Sequence, residues 1–334
     1  MRMLLEQIKN STFVGNSIKM RRFLGVLICA LALNSCDDGD LTMETIDFED
    51  VDTQSCSTNN ILYKLKEKEA LLLEIPKSTF VNEPTVPGTP IQIDIDNATN
   101  QVVYRFYNGT IATENICNTI PPALPNVTDQ WTATSGKIQI ITTSIKSTDA
   151  TNNSTRITGY NHNIVFKNIT FDKTNGTQVY ETFPFGAYTT SPTNTLPFGF
   201  EQVVKQCAAS KQLYNRTSSE ALTIDNIDPA LIVNTETPLN TPRTATIGSI
   251  NNKLTYRLYS DLLTDNSFCN TTVPQPAIKE EWSALSGGII EVTTIKNGTT
   301  AYKHTIVLKN VVLKRGNSDF KLGDNFPYGD LITN

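Results

Sequence analysis

The sequence predicts an all-β protein made of two homologous β-sandwich domains in tandem. Short runs of β-branched and aromatic residues alternate with Gly, Asn, Asp and Pro turn signals along the chain, a pattern typical of strands. The second half of the chain also repeats the first at an offset of about 151 residues. A period of this length is a whole domain and is far longer than the unit of a solenoid.

The duplication is visible as matched segments that occur in the same order in both halves. They are FEDV at 48–51 with FEQV at 200–203, LY at 62–63 with LY at 213–214, EAL at 69–71 with EAL at 220–222, YRFY at 104–107 with YRLY at 256–259, HNIVFKN at 162–168 with HTIVLKN at 304–310, and FPFG at 183–186 with FPYG at 326–329. The alignment predicts one domain at 48–190 and a second at 191–334, with the boundary in the Thr- and Pro-rich segment 188–197.

The strands are predicted from each half with the other as a control. Residues 62–73 alone favour a helix, but their counterpart 213–224 contains Asn-Arg-Thr-Ser-Ser, which favours a turn, so strand–turn–strand fits both. Tight hairpins are predicted at Asn175-Gly176 and Asn297-Gly298. Where the second half has the Asn297-Gly298 turn, the first half has a loop that is nine residues longer, 146–158. Further strands are predicted at 91–95, 102–107, 137–145, 163–171, 179–183, 289–295 and 301–313. Each half then forms an immunoglobulin-like sandwich of seven to nine strands.

Four of the six cysteines divide evenly between the repeats. Four cysteines allow three pairings, but a duplicated domain that folds independently favours Cys56–Cys117 and Cys207–Cys269. An oxidising compartment supports the same pairing. The alternative, a metal or thiol site, lacks closely spaced Cys-x-x-Cys ligands.

An export signal precedes the first repeat. Arg21 and Arg22 are followed by an apolar run, 23–33, which is too short to span a bilayer as a permanent helix. It ends in Leu33-Asn34-Ser35-Cys36, which resembles a bacterial lipobox. The resemblance implies cleavage after residue 35 and lipidation of Cys36, with Cys29 lost in the signal. Translation then starts at Met20, or the n-region is long. The alternatives are an ordinary secretory signal or a short buried helix.

The residues after Cys36 bear on localisation. Asp37 after the lipidated Cys resembles an inner-membrane retention signal, whereas the acidic cluster 37–40 resembles the surface-export signal of Bacteroidota lipoproteins, which the Asn- and Thr-rich composition favours. As a whole the chain resembles tandem-repeat lipoproteins of flavobacteria. This resemblance implies lipid anchoring in the bacterial outer membrane, facing the periplasm or the cell surface, with 36–47 as an acidic tether.

The net charge argues against nucleic acid as a partner. The chain carries 28 Lys and Arg against 33 Asp and Glu, and removal of 1–35 takes away five basic residues and one acidic residue. The remaining chain has a net charge of about −9 and is repelled by phosphates.

Few residues suggest a ligand site. Trp131 and Trp282 could form exposed platforms for sugar rings, or they could be core residues packed near the disulfides. Strand alternation places Tyr107 with Arg105 on one face of 104–107, so Tyr107 and its counterpart Tyr259 could join such a platform or belong to a solvated sheet face. His162 and His304 occupy equivalent strand positions and share a face with apolar neighbours, which favours packed histidines. The 94–97 segment, Asp-Ile-Asp-Asn, could bind calcium or form an acidic turn. No cofactor or metal is expected.

The predicted function is that of an acyl-anchored envelope protein with two β-sandwich modules in a binding or structural, non-catalytic role. Its partners are the membrane, through the lipid on Cys36, and a glycan or another envelope protein. The alternatives are a glycan-binding surface protein of a polysaccharide-uptake system and, least favoured, a hydrolase, which would need a pair of carboxyl groups in a cleft.

Overall fold

The computed structural model describes residues 45–270 and 275–334. The lipobox and Cys36 lie outside the described residues. Within them the chain is nearly all β, with one curled antiparallel sheet in each repeat, and the predicted fold of two β-sandwich domains is confirmed. We refer to residues 48–190 as repeat 1 and to residues 191–334 as repeat 2.

Repeat 1 contains a sheet in the order β1-β2-β3-β5-β6-β7-β8, with β4 paired to β6. A 3₁₀ turn at Lys77–Thr79 and a short helix α1, Glu114–Cys117, lie in its loops. The strands are β1 (Gln54–Ser55), β2 (Ile61–Lys66), β3 (Glu69–Glu74), β4 (Ile91–Asp94), β5 (Gln101–Tyr107), β6 (Val127–Asp149), β7 (Ser154–Lys173) and β8 (Gly176–Thr190).

Repeat 2 has the corresponding sheet, in the order β12-β15-β16-β14-β13-β11-β10-β9 with β17 paired to β16. The short helix α2, Asn266–Cys269, corresponds to α1. The strands are β9 (Lys205–Gln206), β10 (Leu213–Arg216), β11 (Glu220–Asp225), β12 (Arg243–Thr246), β13 (Lys253–Tyr259), β14 (Ile278–Ala284), β15 (Ile289–Asn297), β16 (Ala301–Arg315) and β17 (Ser318–Thr333).

The long strands bend, and the bend turns one sheet into two layers. In repeat 1 the β6–β7 ladder is irregular on both sides of Gly136, and Asn168 on the facing strand has φ of +50°. Asn310 has φ of +51° at the equivalent position of repeat 2, opposite the break between β14 and β15 at Gly287. Asn and Gly are the residues that adopt positive φ most readily. This explains why the matched segments HNIVFKN and HTIVLKN both end in Asn.

The core lies between the two layers of each sheet. In repeat 2 it includes Leu222, Tyr256, Trp282, Ile306 and Leu308. These residues alternate along their strands with outward-facing residues, because successive side chains of a strand point to opposite faces. Burial of this apolar surface is the main stabilising term of each sandwich.

Both predicted disulfides are present, and each closes a small apolar cluster outside the main core. Cys56–Cys117 and Cys207–Cys269 join Cα atoms 5.3 and 5.2 Å apart. In repeat 1 the cluster contains Cys56, Tyr107 and Ile116. The disulfide therefore holds α1 and its loop against the outer face of the sheet. Trp131 is not part of this cluster and packs against Tyr104, and Trp282 belongs to the main core of repeat 2, so the alternative of Trp residues packed near the disulfides is wrong.

The loop prediction at 146–158 is wrong, because this segment continues the β6–β7 hairpin. Pairing extends to Asp149↔Ser154, and only four residues form the turn. We call residues 146–158 the junction arm. The arm contacts β17: Asn153 Nδ2 donates to Asp324 Oδ2 at 2.7 Å, and Lys321 N donates to Thr155 Oγ1 at 2.8 Å. Consistent with these contacts, Phe48–Asn334 forms one compact unit.

Within the described residues there is no helix with the length and apolar character needed to cross a membrane.

Candidate functional site

The four aromatic residues proposed as exposed sugar platforms are buried, which corrects that prediction. The exposed fractions are 1% for Trp131, 2% for Trp282, 6% for Tyr107 and 2% for Tyr259. Trp131 and Trp282 lie in the interior of their sandwiches, while Tyr107 and Tyr259 are covered by the disulfide-closed loops. A ring that offers no free face cannot stack on a sugar. Strand alternation predicts that Tyr107 faces solvent. Its ring is buried because α1 covers the outer face of β5 at this point.

Each buried Trp is instead the centre of a polar set that occurs in both repeats. In repeat 1, Trp131 Nε1 donates to Asp129 Oδ2 at 2.9 Å, and Lys173 Nζ lies 4.1 Å from the centre of the indole ring. In repeat 2, Trp282 Nε1 donates to Glu280 Oε2 at 2.9 Å, and the Arg315 guanidinium lies 4.8 Å from the ring centre. A carboxylate and a cation are thus held on one aromatic ring in each repeat.

A Tyr–Glu pair completes the duplicated set. Tyr104 Oη donates to Glu69 Oε2 at 2.6 Å, and Tyr256 Oη donates to Glu220 Oε1 at 2.5 Å. Burial and the Glu220 carboxylate raise the pKa of Tyr256 far above its usual value, so this hydroxyl stays protonated and donates.

Sequence reasoning missed the charged members of these sets. Asp129 and Glu280 each stand two residues before the Trp, and Lys173 and Arg315 each end a strand at a hairpin turn. The signal was available in the alignment of the repeats, because charge type is kept at both positions although residue identity is not. Matching by identity alone conceals such pairs.

The two histidines are packed residues in matched hydrogen-bond chains. His162 is fully buried, with Nδ1 2.8 Å from Thr142 Oγ1 and Nε2 2.9 Å from Thr190 Oγ1. Thr190 Oγ1 donates in turn to Asn82 Oδ1, so it accepts from Nε2–H, and Nδ1 accepts from Thr142. Burial lowers the pKa of His162 to about 4.

His304 repeats this chain with Thr294, Thr333 and Asn234. Its pKa is lowered by burial and, to a smaller extent, by Arg243. Both rings are therefore neutral at pH 7 and act as rigid bridges between three adjacent strands. Their face is shared with apolar neighbours, as the sequence predicted.

The acidic segment 94–97 forms a turn. Asp96 Oδ1 accepts from the backbone N–H groups of Ala98, Thr99 and Asn100, and these bonds lower the pKa of Asp96. Asp94 pairs with Lys137 at 2.6 Å. Within the described residues, no group of three or more His, Cys, Asp or Glu side chains is arranged to hold a metal ion.

A cleft of about 480 Å³ lies where the two repeats meet, and it is the strongest candidate for a ligand site. Four parts of the chain line it: Asn82, the junction arm with Tyr160 of β7, the linker 192–197, and side chains of β14, β16 and β17. Its size falls in the range of pockets that hold small organic ligands. The junction arm and the linker are present once in the chain, so this cleft is a product of the joint and not of either repeat alone.

One wall of the cleft carries the Trp282 set. Glu280 is buried and its carboxylate accepts from Trp282 Nε1, from Asn194 Nδ2 at 2.9 Å and from Arg315 Nη1 at 3.0 Å. These three donors fix the carboxylate in place. Phe320 packs edge-on against Trp282, with ring centres 4.9 Å apart, and helps to bury the indole.

Arg156, which lines the cleft, lies on an aromatic stack beside it. Phe198 stacks on Tyr256 with ring centres 4.4 Å apart, and the Arg156 guanidinium carbon lies 4.5 Å from the centre of the Phe198 ring. Phe198 has φ of +50°, a strained value for a bulky residue. Its backbone N–H donates to Glu220 Oε1 at 2.8 Å, which helps to hold this conformation. Arg156 of repeat 1, Phe198 directly after the linker and Tyr256 of β13 thus stack in one column.

No protein-family model matches the chain, and no curated protein or solved structure matches it either.

Proposed function

We propose that the protein is an envelope protein with a binding, non-catalytic role, and that the cleft between the repeats is its ligand site. The observation that carries this proposal is the cleft itself, which combines apolar side chains with a small number of fixed polar groups. This combination is characteristic of small-molecule sites, where apolar surface supplies affinity and polar groups supply orientation.

The state of the carboxylates favours binding over hydrolysis. Glu280 is engaged by three donors. Glu220 accepts from Tyr256 and from the backbone N–H groups of Phe198 and Gly199. A general acid or base has to exchange a proton with a substrate, and neither group is positioned by a neighbouring base for that purpose. Both carboxylates instead hold the walls of the cleft.

A glycan is the second candidate ligand, in the context of polysaccharide uptake. The observation in its favour is that hydroxyl and amide side chains, including Thr158, Thr193 and Asn194, line the cleft together with the partly buried apolar side chains of Ile157 and Leu196. In this form the proposal needs no exposed Trp, and so it survives the burial of Trp131 and Trp282.

The binding role is tested by filling the cleft. We expect Thr158→Trp to abolish binding, because Thr158 is exposed on the cleft wall and an indole would occupy the space. The matched control is Thr299→Trp, on the exposed hairpin turn of repeat 2. Saturation-transfer NMR with the full chain in detergent would use glucose, maltose, glucuronate and benzoate as probes. Absence of binding by the wild type, or equal binding by Thr158→Trp, would contradict the proposal.

The membrane anchor is a separate part of the proposal, and it rests on the lipobox of the sequence. Cys36→Ser is expected to move the full chain from the membrane fraction to the soluble fraction of a Gram-negative host, because it removes the lipidated sulfur. Cys29→Ser is the control and should leave the chain in the membrane. Retention of the Cys36→Ser chain in the membrane would show that another feature anchors the protein.

A further inference from the structure

The side chains that line the cleft carry an excess of positive charge. Three of its lining residues are charged, namely Arg156, Arg315 and Glu280. Arg315 and Glu280 form an ion pair at 3.0 Å and neutralise each other. Arg156 forms no ion pair within the described residues. Glu220, the other buried carboxylate of this region, is satisfied by Tyr256 and two backbone N–H groups. Arg156 is therefore the cationic group of the cleft that has no counter-ion among the described residues.

Arg156 is held in place without its charge being neutralised. Its Nη1 donates to Thr155 O at 2.7 Å and to Lys321 O at 3.3 Å, and its plane covers the Phe198 ring. A guanidinium has five N–H donors, so several remain for a ligand. Backbone carbonyls and a ring fix the group but supply no full negative charge. Burial also lowers the pKa of Arg156, which reflects the cost of holding this cation away from water.

The rest of the cleft is suited to a ring beside the charged group. Ile157 and Leu196 line the cleft and are only partly buried, so their apolar surface is available to a ligand. The buried Phe320 ring, whose centre is 5.4 Å from the Arg156 guanidinium, packs behind this surface. The volume of about 480 Å³ accommodates a ligand of one or two rings.

We propose that the cleft binds a small organic carboxylate that carries a ring, with Arg156 as the group that binds the carboxylate and the partly buried apolar side chains of Ile157 and Leu196 as the surface that contacts the ring. This inference rests on the proposed binding role and names the chemical class of the ligand. A planar guanidinium matches a carboxylate with two parallel hydrogen bonds, and such charge-assisted bonds are stronger than neutral ones.

The test compares matched acidic and neutral probes. Isothermal titration of the full chain in detergent would use glucuronate against glucose, and benzoate against benzyl alcohol. The acid of at least one pair should bind about tenfold or more tightly than its neutral partner. A preference for glucuronate over glucose would indicate an acidic sugar as the ligand, and a preference for benzoate over benzyl alcohol would indicate an aromatic acid.

Variants of the arginine assign the effect. Arg156→Gln should weaken acid binding about tenfold, to the level of the neutral partner, and Arg156→Lys should retain part of it. The control is Arg105→Gln, a surface residue of repeat 1 whose Nε donates to Gln130 at 2.8 Å. If Arg156→Gln does not fold, the salt dependence of binding to the wild type provides the test. Added salt should weaken binding of the acid and leave binding of the neutral partner unchanged.

The outcomes separate the two proposals. Preference for the acid that is lost in Arg156→Gln supports the inference. Equal binding of acid and neutral partner, or an Arg156→Gln chain that binds the acid as the wild type does, overturns it and leaves the binding role standing. Absence of binding by every probe overturns both.

Discussion

At the scale of single residues, the buried histidines make stability depend on pH. His162 is neutral in the folded state because burial lowers its pKa to about 4, whereas the unfolded chain has a His pKa near 6.5. Above pH 6.5 neither state binds a proton and the His contributes no pH dependence. As the pH falls from 6.5 toward 4, only the unfolded state binds the proton, so stability is lost in that window.

We therefore expect the free energy of unfolding to fall by roughly 2–3 kcal/mol through His162 between pH 7 and pH 4.5. Urea denaturation of the wild type and of His162→Gln at both pH values measures the effect. The difference between the two chains removes the contribution of the carboxyl groups, which lose stabilisation at lower pH. His304 remains in the variant, so part of the slope should persist. An unchanged slope would show that His162 is not the titrating group.

The glycines at the sheet bends provide a second residue-scale prediction. Gly136 and Gly287 are equivalent, and both have positive φ, +131° and +113°. A Cβ on Gly136 would lie 2.8 Å from the Cα of Ile169, whereas a Cβ on Gly287 would meet no atom within 4 Å. Gly136→Ala should therefore destabilise the protein by about 2 kcal/mol more than Gly287→Ala, because only it adds a backbone clash. Urea midpoints at constant slope measure this, and equal losses would contradict the model of the bend.

At the scale of elements, the strands were predictable and the junction arm was not. Apolar alternation and the comparison of the repeats identified β2–β3, β5, β7, β15 and β16. The arm, 146–158, has one large apolar residue, Ile157, which packs against the core of repeat 2. Its other contacts with β17 are hydrogen bonds and ion pairs. Hydrophobic periodicity does not detect an element whose partners are polar. The sequence showed only that an insertion stood there.

The arm should determine whether the repeats unfold together. Replacing residues 146–158 with the repeat 2 turn, 298–300, removes the bonds of Lys146 to Asp319, Asn153 to Asp324 and Thr155 to Lys321. Calorimetry is expected to give one transition for the wild type and two for this variant, because each repeat keeps its own core and disulfide. Circular dichroism and thiol titration serve as folding controls. A single transition in the variant would show that the remaining contacts, such as Tyr160 with Ser318, suffice to couple the repeats.

At the scale of the whole molecule, duplication accounts for the two similar sandwiches. The two segments that occur only once, the junction arm and the linker, join them. Both repeats keep the same polar set around a buried Trp. In repeat 2 this set became the wall of a cleft, because the arm and the linker approach it. The cleft could not be predicted from the sequence, since Arg156, Phe198 and Trp282 belong to three distant segments whose proximity depends on how the repeats pack. Neither aromatic pattern nor charge spacing indicates such packing.

The central claim is that the ligand site is created by the joint between the repeats. The measurement that tests it most directly is saturation-transfer NMR on the variant with residues 298–300 in place of 146–158, beside the wild type and with the same four probes. The wild type should bind at least one probe. The variant should bind none, although its two sheets and disulfides are intact. Binding by the variant equal to that of the wild type would place the ligand elsewhere and contradict the claim.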